Sequence, residues 1–68
     1  MLTGLGVQRM KGFVGVVDAD GVRHLLRLGA IQMIADTDQC QDTTVIVVAG
    51  RSIIVPVPLD EVMAVIDG

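Results

Sequence analysis

Apolar and polar positions along the chain fall into short runs of changing period, and each change predicts an element. Phe13-Val14-Gly15-Val16-Val17 and Val22-Arg23-His24-Leu25-Leu26-Arg27-Leu28 flank Asp18-Ala19-Asp20-Gly21, a cluster of turn formers, and together these predict a hairpin. Gly29-Ala30 offers a bend, after which Ile31-Gln32-Met33-Ile34-Ala35 fits either a short strand or one helical turn. The acidic, short-chained stretch Asp36 to Asp42 predicts a loop. Thr43 to Ala49 and Ser52 to Val57 are β-branched runs joined by a tight reversal around Ala49-Gly50-Arg51, where Gly50 can supply positive φ. Past Pro56-Val57-Pro58 the period lengthens, because Leu59, Val62, Met63 and Ile66 fall at i, i+3, i+4 and i+7, the apolar stripe of a helix. Pro58 suits the first turn, Asp60 and Glu61 sit where the dipole favours carboxylates, and Gly68 lies just past the end. The predicted fold is mainly β with an α+β character. It is a small antiparallel sheet or partly open barrel of about five strands, with one C-terminal helix over about residues 58–66. Residues 1–10, without a clear period, predict a flexible arm or an edge strand of a single domain spanning 1–68.

Alternation within the last two strands carries further information. One face of the first holds Thr43, Val45 and Val47, and the other holds Thr44, Ile46 and Val48; in the second, Ile54 opposes Ile53, Val55 and Val57. Both faces are apolar, whereas a sheet with one wet face would alternate apolar and polar residues. A single short helix cannot cover a whole sheet. Either the sheet curls into a barrel around one face while a neighbour covers the other, or two subunits pack sheet to sheet. Only Arg51 places a charge between Thr43 and Leu59, and depletion of charge is a property of interface cores. The expected partner is therefore another copy of the chain, in a dimer or higher homo-oligomer, with Val45, Val47, Ile54, Val55 and Val57 as interface residues.

Composition sharpens this expectation. The chain has 68 residues, 51% of them hydrophobic, and a single aromatic ring at Phe13. A mean hydropathy of +0.66 is high for a chain whose small size keeps most residues near water, so something beyond one monomer's core must absorb apolar surface. A membrane is not expected to do so, because no uncharged run exceeds eight residues, whereas a spanning helix needs about 20. The start of the chain has no early Lys or Arg to serve as a signal-peptide n-region, and a cytoplasmic location is expected. The net charge of −3 opposes attraction to phosphate backbones. Arg9, Lys11, Arg23 and Arg27 remain a candidate anion-binding set. The alternative function they suggest, by analogy with OB and LytTR domains, is a small β-barrel binding nucleic acid, although no aromatic residues interleave with them as a stacking platform.

Chemistry-bearing residues are sparse. Cys40 has no second cysteine for a disulfide and no Cys or His at metal-ligand spacing, and His24 has no serine or cysteine placed near it in sequence. Asp36, Asp38 and Asp42 lack the internal glycine and closing glutamate of a calcium loop and read as a solvated loop, while Asp18 and Asp20 read as turn chemistry. Gly4-Leu5-Gly6 does not continue to a third glycine at the dinucleotide spacing. No catalytic, cofactor-binding or metal-binding residue is assigned. A non-enzymatic protein–protein interaction module is expected, with itself and a further protein of unknown identity as partners.

The run Asp42-Thr43-Thr44-Val45-Ile46-Val47-Val48-Ala49-Gly50-Arg51-Ser52-Ile53-Ile54-Val55, followed by Leu59-Asp60-Glu61-Val62, resembles the small flagellar FlbD/SwrD-type proteins. Ile31 and Ile34 match that family's isoleucine pair, and the resemblance spans about residues 12–66. Asp-Thr, a turn glycine and Glu-Val also occur in LytTR-like small β domains. The resemblance implies a small, non-enzymatic accessory protein, carries over no catalytic residue, and is compatible with a relative carried by a phage or another mobile element.

Overall fold

Backbone pairing follows the turn chemistry. In the computed structural model, which describes residues 6–67, the elements are β1 (Val7–Met10), β2 (Phe13–Val17), β3 (Arg23–Arg27), a 3-10 turn (Leu28–Ala30), β4 (Ile31–Asp36), β5 (Thr44–Val48), β6 (Arg51–Val55) and α1 (Leu59–Asp67). The strands form two antiparallel three-stranded sheets, an N-terminal one of order β1-β2-β3 and a C-terminal one of order β4-β5-β6, and they do not close into a barrel. The expectations that fall on residues 1–5 and on Gly68 lie outside the described residues.

Each hairpin is set by its turn. Gly12 takes φ 71° between β1 and β2, and Gly21 takes φ 81° in the turn between β2 and β3, where the Asp18 N–H donates to Val22 O and the Gly21 N–H to Asp18 O, both at 2.9 Å. Between β5 and β6, Ala49 (φ 53°) and Gly50 (φ 76°) are both left-handed, as a two-residue turn matched to strand twist requires. Val7–Met10 is thus an edge strand, paired from Val7↔Val16 to Met10↔Phe13. The segment whose sequence fits strand or helical turn is a strand, β4, with Ile34 opposite Ile46 and Ala35 opposite Val45. The turn-like component lies just upstream, at Leu28–Ala30, where the chain crosses from one sheet to the other. A register shift between Ile31 and Met33 adds one residue to β4, and this bulge returns Ile31 to the inward face opposite Val48.

The two inner sheet faces and the helix enclose one core of Val7, Val14, Val16, Leu26, Ile46, Ile53, Val55 and Val62. Among them Val14, Ile46, Val55 and Val62 are fully buried. Thr44 is the one buried polar residue among those described, and its hydroxyl donates to Val57 O at 2.7 Å, which satisfies both groups. The seam between the sheets is bridged by the Ala19 N–H donating to Ile54 O at 2.9 Å.

The helix buries Val62, with Val65 and Ile66 packed against the core, while Met63 is exposed. The stripe predicted through Met63 is therefore rotated toward Val65. Pro58 O accepts from the Glu61 and Val62 amides at the N-terminus, and Arg9 Nη1 donates to Ile66 O at 2.8 Å near the C-terminus, where a cation complements the dipole. No helix among the described residues is long and apolar enough to cross a membrane.

Candidate interaction surface

Strand alternation assigns every side chain of the C-terminal sheet to one of two faces. Thr44, Ile46, Ile53 and Val55 point into the core; Met33, Ala35, Val45, Val47, Ser52 and Ile54 share the outer face, as the pairs Met33↔Val47, Ala35↔Val45, Val45↔Ile54 and Val47↔Ser52 require. Met33 is 51% and Ile54 40% exposed, and Val45 and Val47 between them are half-buried by their neighbours. No charged side chain belongs to this face, so water contacts a continuous apolar strip across three strands.

Of the predicted interface residues, Val45, Val47 and Ile54 lie on this outer face. Val55 and Val57 do not. Val55 is fully buried within the chain's own core, and Val57 packs against that core just past β6. The physical reason is the period of two, which turns Val55 inward wherever Ile54 turns out. Ser52, on the face with Ile54, marks the outer side correctly, whereas Thr44 on the face with Ile46 marks the wrong one. Met33 was missed because the strand or helix choice for its segment was open.

The four basic residues do not form one patch. Arg9 is engaged at the helix C-terminus. Arg23 and Arg27 share the outer face of β3 with Leu25 between them, and the Arg27 guanidinium lies 5.8 Å from the centroid of the Phe13 ring, in cation–π range. Lys11 is exposed in the β1–β2 turn, at the Arg27 end of the sheet.

The remaining polar groups hold loops. Asp18 accepts from the Asp20 and Val22 amides through Oδ1, both at 2.9 Å, and from His24 Nε2 through Oδ2 at 2.7 Å. The His24 hydrogen bond is the largest cause holding the Asp18 carboxyl below its ordinary value of 3.8. His24 is thus a strand residue pinned to the preceding turn. Asp38 Oδ1 accepts from the Cys40 N–H at 2.9 Å, the Thr37 and Thr43 hydroxyls bond across the mouth of the same loop, and the Cys40 thiol is free and exposed. No group of three or more His, Cys, Asp or Glu is placed to hold a metal among the described residues.

No family model, no curated protein and no solved structure matches this chain.

Proposed function

We propose that the protein is a non-catalytic assembly module, an accessory protein of the FlbD/SwrD kind acting in the cytoplasm, that associates with copies of itself through the outer face of β4-β5-β6. The observation that carries this reading is the charge-free strip of Met33, Val45, Val47 and Ile54, left in water while α1 is spent on the opposite side. Covering large side chains that are already half-exposed returns on the order of 1 kcal/mol each, so several must be covered together for association in the micromolar range, which needs about 8 kcal/mol.

Light scattering coupled to gel filtration, from about 10 µM to about 1 mM, tests the reading, because that range spans associations of roughly 4 to 7 kcal/mol. The expected result is a mass above the 7.2 kDa of one chain that falls on dilution. Ile54→Asp should shift the population to monomer without unfolding it, since Ile54 is exposed while its neighbours Ile53 and Val55 form the core. A well-folded wild-type monomer throughout that range would overturn the proposal.

A further inference from the structure

Uncovered apolar surface occurs on both sheets. Six large hydrophobic side chains are exposed among the described residues, and four of them divide evenly between two outer faces: Met10 and Leu25 on the N-terminal sheet, Met33 and Ile54 on the C-terminal sheet. Pairing the C-terminal face with its own copy would cover Met33 and Ile54 and leave Met10 and Leu25 in water.

The two faces differ in shape and charge. Gly15, in the middle strand of the N-terminal sheet, has no side chain where its neighbours have one, and a concavity of about 600 Å³ opens there among Gln8, Met10, Val17, Arg23 and Leu25. The C-terminal face has no glycine in its strands, and exposed Met33 of β4 and Ile54 of β6 flank the half-buried Val45 and Val47 of β5. Four of the five Lys and Arg residues lie before residue 28, and six of the eight carboxylates lie after residue 35. Exposed Lys11 and Arg27 stand at one end of the dished face, and exposed Arg23, with Asp20 in the adjoining turn, at the other end. Exposed Asp38 and Asp42 stand at one end of the C-terminal face, and exposed Arg51 at the other. Laying the C-terminal face in the dish with the acidic loop over Lys11 and Arg27 sets Asp38 and Asp42 against cations at that end, and sets Arg51 beside Asp20 and Arg23 at the other. Laying two dished faces together sets Arg23 and Arg27 against cations of the same kind, an arrangement that selects against that pairing.

We infer that the chain assembles head to tail, the outer face of β4-β5-β6 of one copy seated in the Gly15 dish on the β1-β2-β3 face of the next. This inference rests on the self-association proposed above and specifies its geometry. One kind of junction then covers all four exposed side chains on every interior copy. Because the two surfaces differ, the contact does not end at two copies. It closes into a ring or continues as a filament, according to the rotation between neighbours.

Complementation between two variants provides the test. Leu25→Asp spoils the dish and Ile54→Asp spoils the C-terminal face, while each leaves the other surface intact; both sites are exposed, and circular dichroism checks that the variants fold. Should either fail to fold, Leu25→Gln and Ile54→Thr, milder polar changes at the same positions, replace them. Gly15→Val, whose Cβ meets the flexible Met10 Cε at 3.4 Å, fills the dish without adding charge. Sedimentation velocity is run on the wild type, on each variant alone, and on an equimolar mixture. The expected wild type grows past the dimer with concentration, all three variants alone need at least about tenfold more protein to associate, and the Leu25→Asp plus Ile54→Asp mixture stops at a one-to-one dimer. If Leu25→Asp associates like wild type and the mixture leaves Ile54→Asp monomeric, the C-terminal face pairs with itself; the head-to-tail geometry is then wrong and the assembly function stands. If both charge variants associate like wild type, neither face is used and both conclusions fall. A wild type that is monomeric throughout also overturns both.

Discussion

Ala49 occupies a conformation that most side chains avoid, and replacing it should stabilise the protein. Its φ of 53° places it in the left-handed region, next to Gly50 at φ 76°. For an L-residue with a Cβ that region costs roughly 1–2 kcal/mol, because the Cβ crowds the following carbonyl oxygen. The strain persists because the turn is over-determined: β5 and β6 are in register from Thr44↔Val55 to Val48↔Arg51, and the Gly50 N–H donates to Gln32 Oε1 of β4 at 3.0 Å. Asparagine tolerates this conformation through local hydrogen bonding, and Asn-Gly is the preferred pair for such a turn. Ala49 is exposed, so its methyl contributes little burial. Ala49→Asn should therefore gain about 0.5–1 kcal/mol, which in a domain of this size raises Tm by roughly 2–8 °C. Ala49→Gly relieves the same strain but adds about 0.5–1 kcal/mol of unfolded-state entropy, so it should fall between the two. Thermal and urea unfolding at one fixed protein concentration measure all three, a fixed concentration being needed because association shifts apparent stability. The expected order is Asn above Gly, with Gly at or above Ala. An Ala49→Asn protein no more stable than wild type would refute both the left-handed assignment and the argument that this turn sets the register.

Other expectations follow from single contacts. Thr44→Val keeps the shape but leaves Val57 O without the hydroxyl that bonds it at 2.7 Å, and should cost about 1–3 kcal/mol in urea unfolding, with Thr44→Ser restoring part of the loss. Val62→Ala should cost about 1–3 kcal/mol, since Val62 is the helix residue fully buried in the core, whereas Met63→Ala should be nearly neutral. Asp18 has a folded-state pKa below its ordinary 3.8, so the native state binds fewer protons there than the unfolded chain; its contribution is present above about pH 4 and is lost as pH falls through the lowered value. Asp18→Asn should accordingly flatten the acid limb of a stability profile taken between about pH 2 and pH 6, and an unchanged limb would show that Asp18 does not contribute to it.

How far the sequence could be read depended on whether a local signal had a competitor. The hairpin at Ala49-Gly50 and the helix after Pro58 were legible because turn chemistry and period agreed there. The segment Ile31 to Ala35 was not, because five residues with isoleucines three apart satisfy both periods. What makes it a strand is distant: the partners Val45 and Ile46 of β5, and a bulge that restores phase after Gln32. The edge strand Val7–Met10 was equally hidden, since its pattern of one buried and three exposed residues has no period and only its pairing with β2 defines it.

The interface residues expose a subtler limit. When both faces of a strand are apolar, alternation sorts residues into two sets without saying which set is inside, and Val55 was grouped with Ile54 although adjacent residues must point apart. Three polar residues could have broken the tie, Thr43 and Ser52 on one face and Thr44 on the other, and the two faces give opposite advice. Ser52 marks its own face, shared with Ile54, as the outer one. Thr44 marks its face, shared with Ile46, as outer too, yet that face is buried. The conflict is resolved by satisfaction of hydrogen-bonding groups: the Thr44 hydroxyl finds Val57 O, so the threonine behaves as an isostere of valine with a partner, while no bond to the Ser52 hydroxyl occurs among the described residues. The partner carbonyl is available because Val57 follows β6 at the Pro56-Val57-Pro58 junction, where the extended ladder has ended and Val57 itself donates only a tight bond to Val55 O at 2.8 Å. A junction that looks in sequence like a mere boundary before the helix therefore supplies the partner that lets the Thr44 side of the sheet face inward. With Ile46, Ile53 and Val55 inside, Met33, Val45, Val47 and Ile54 are left on the outer face.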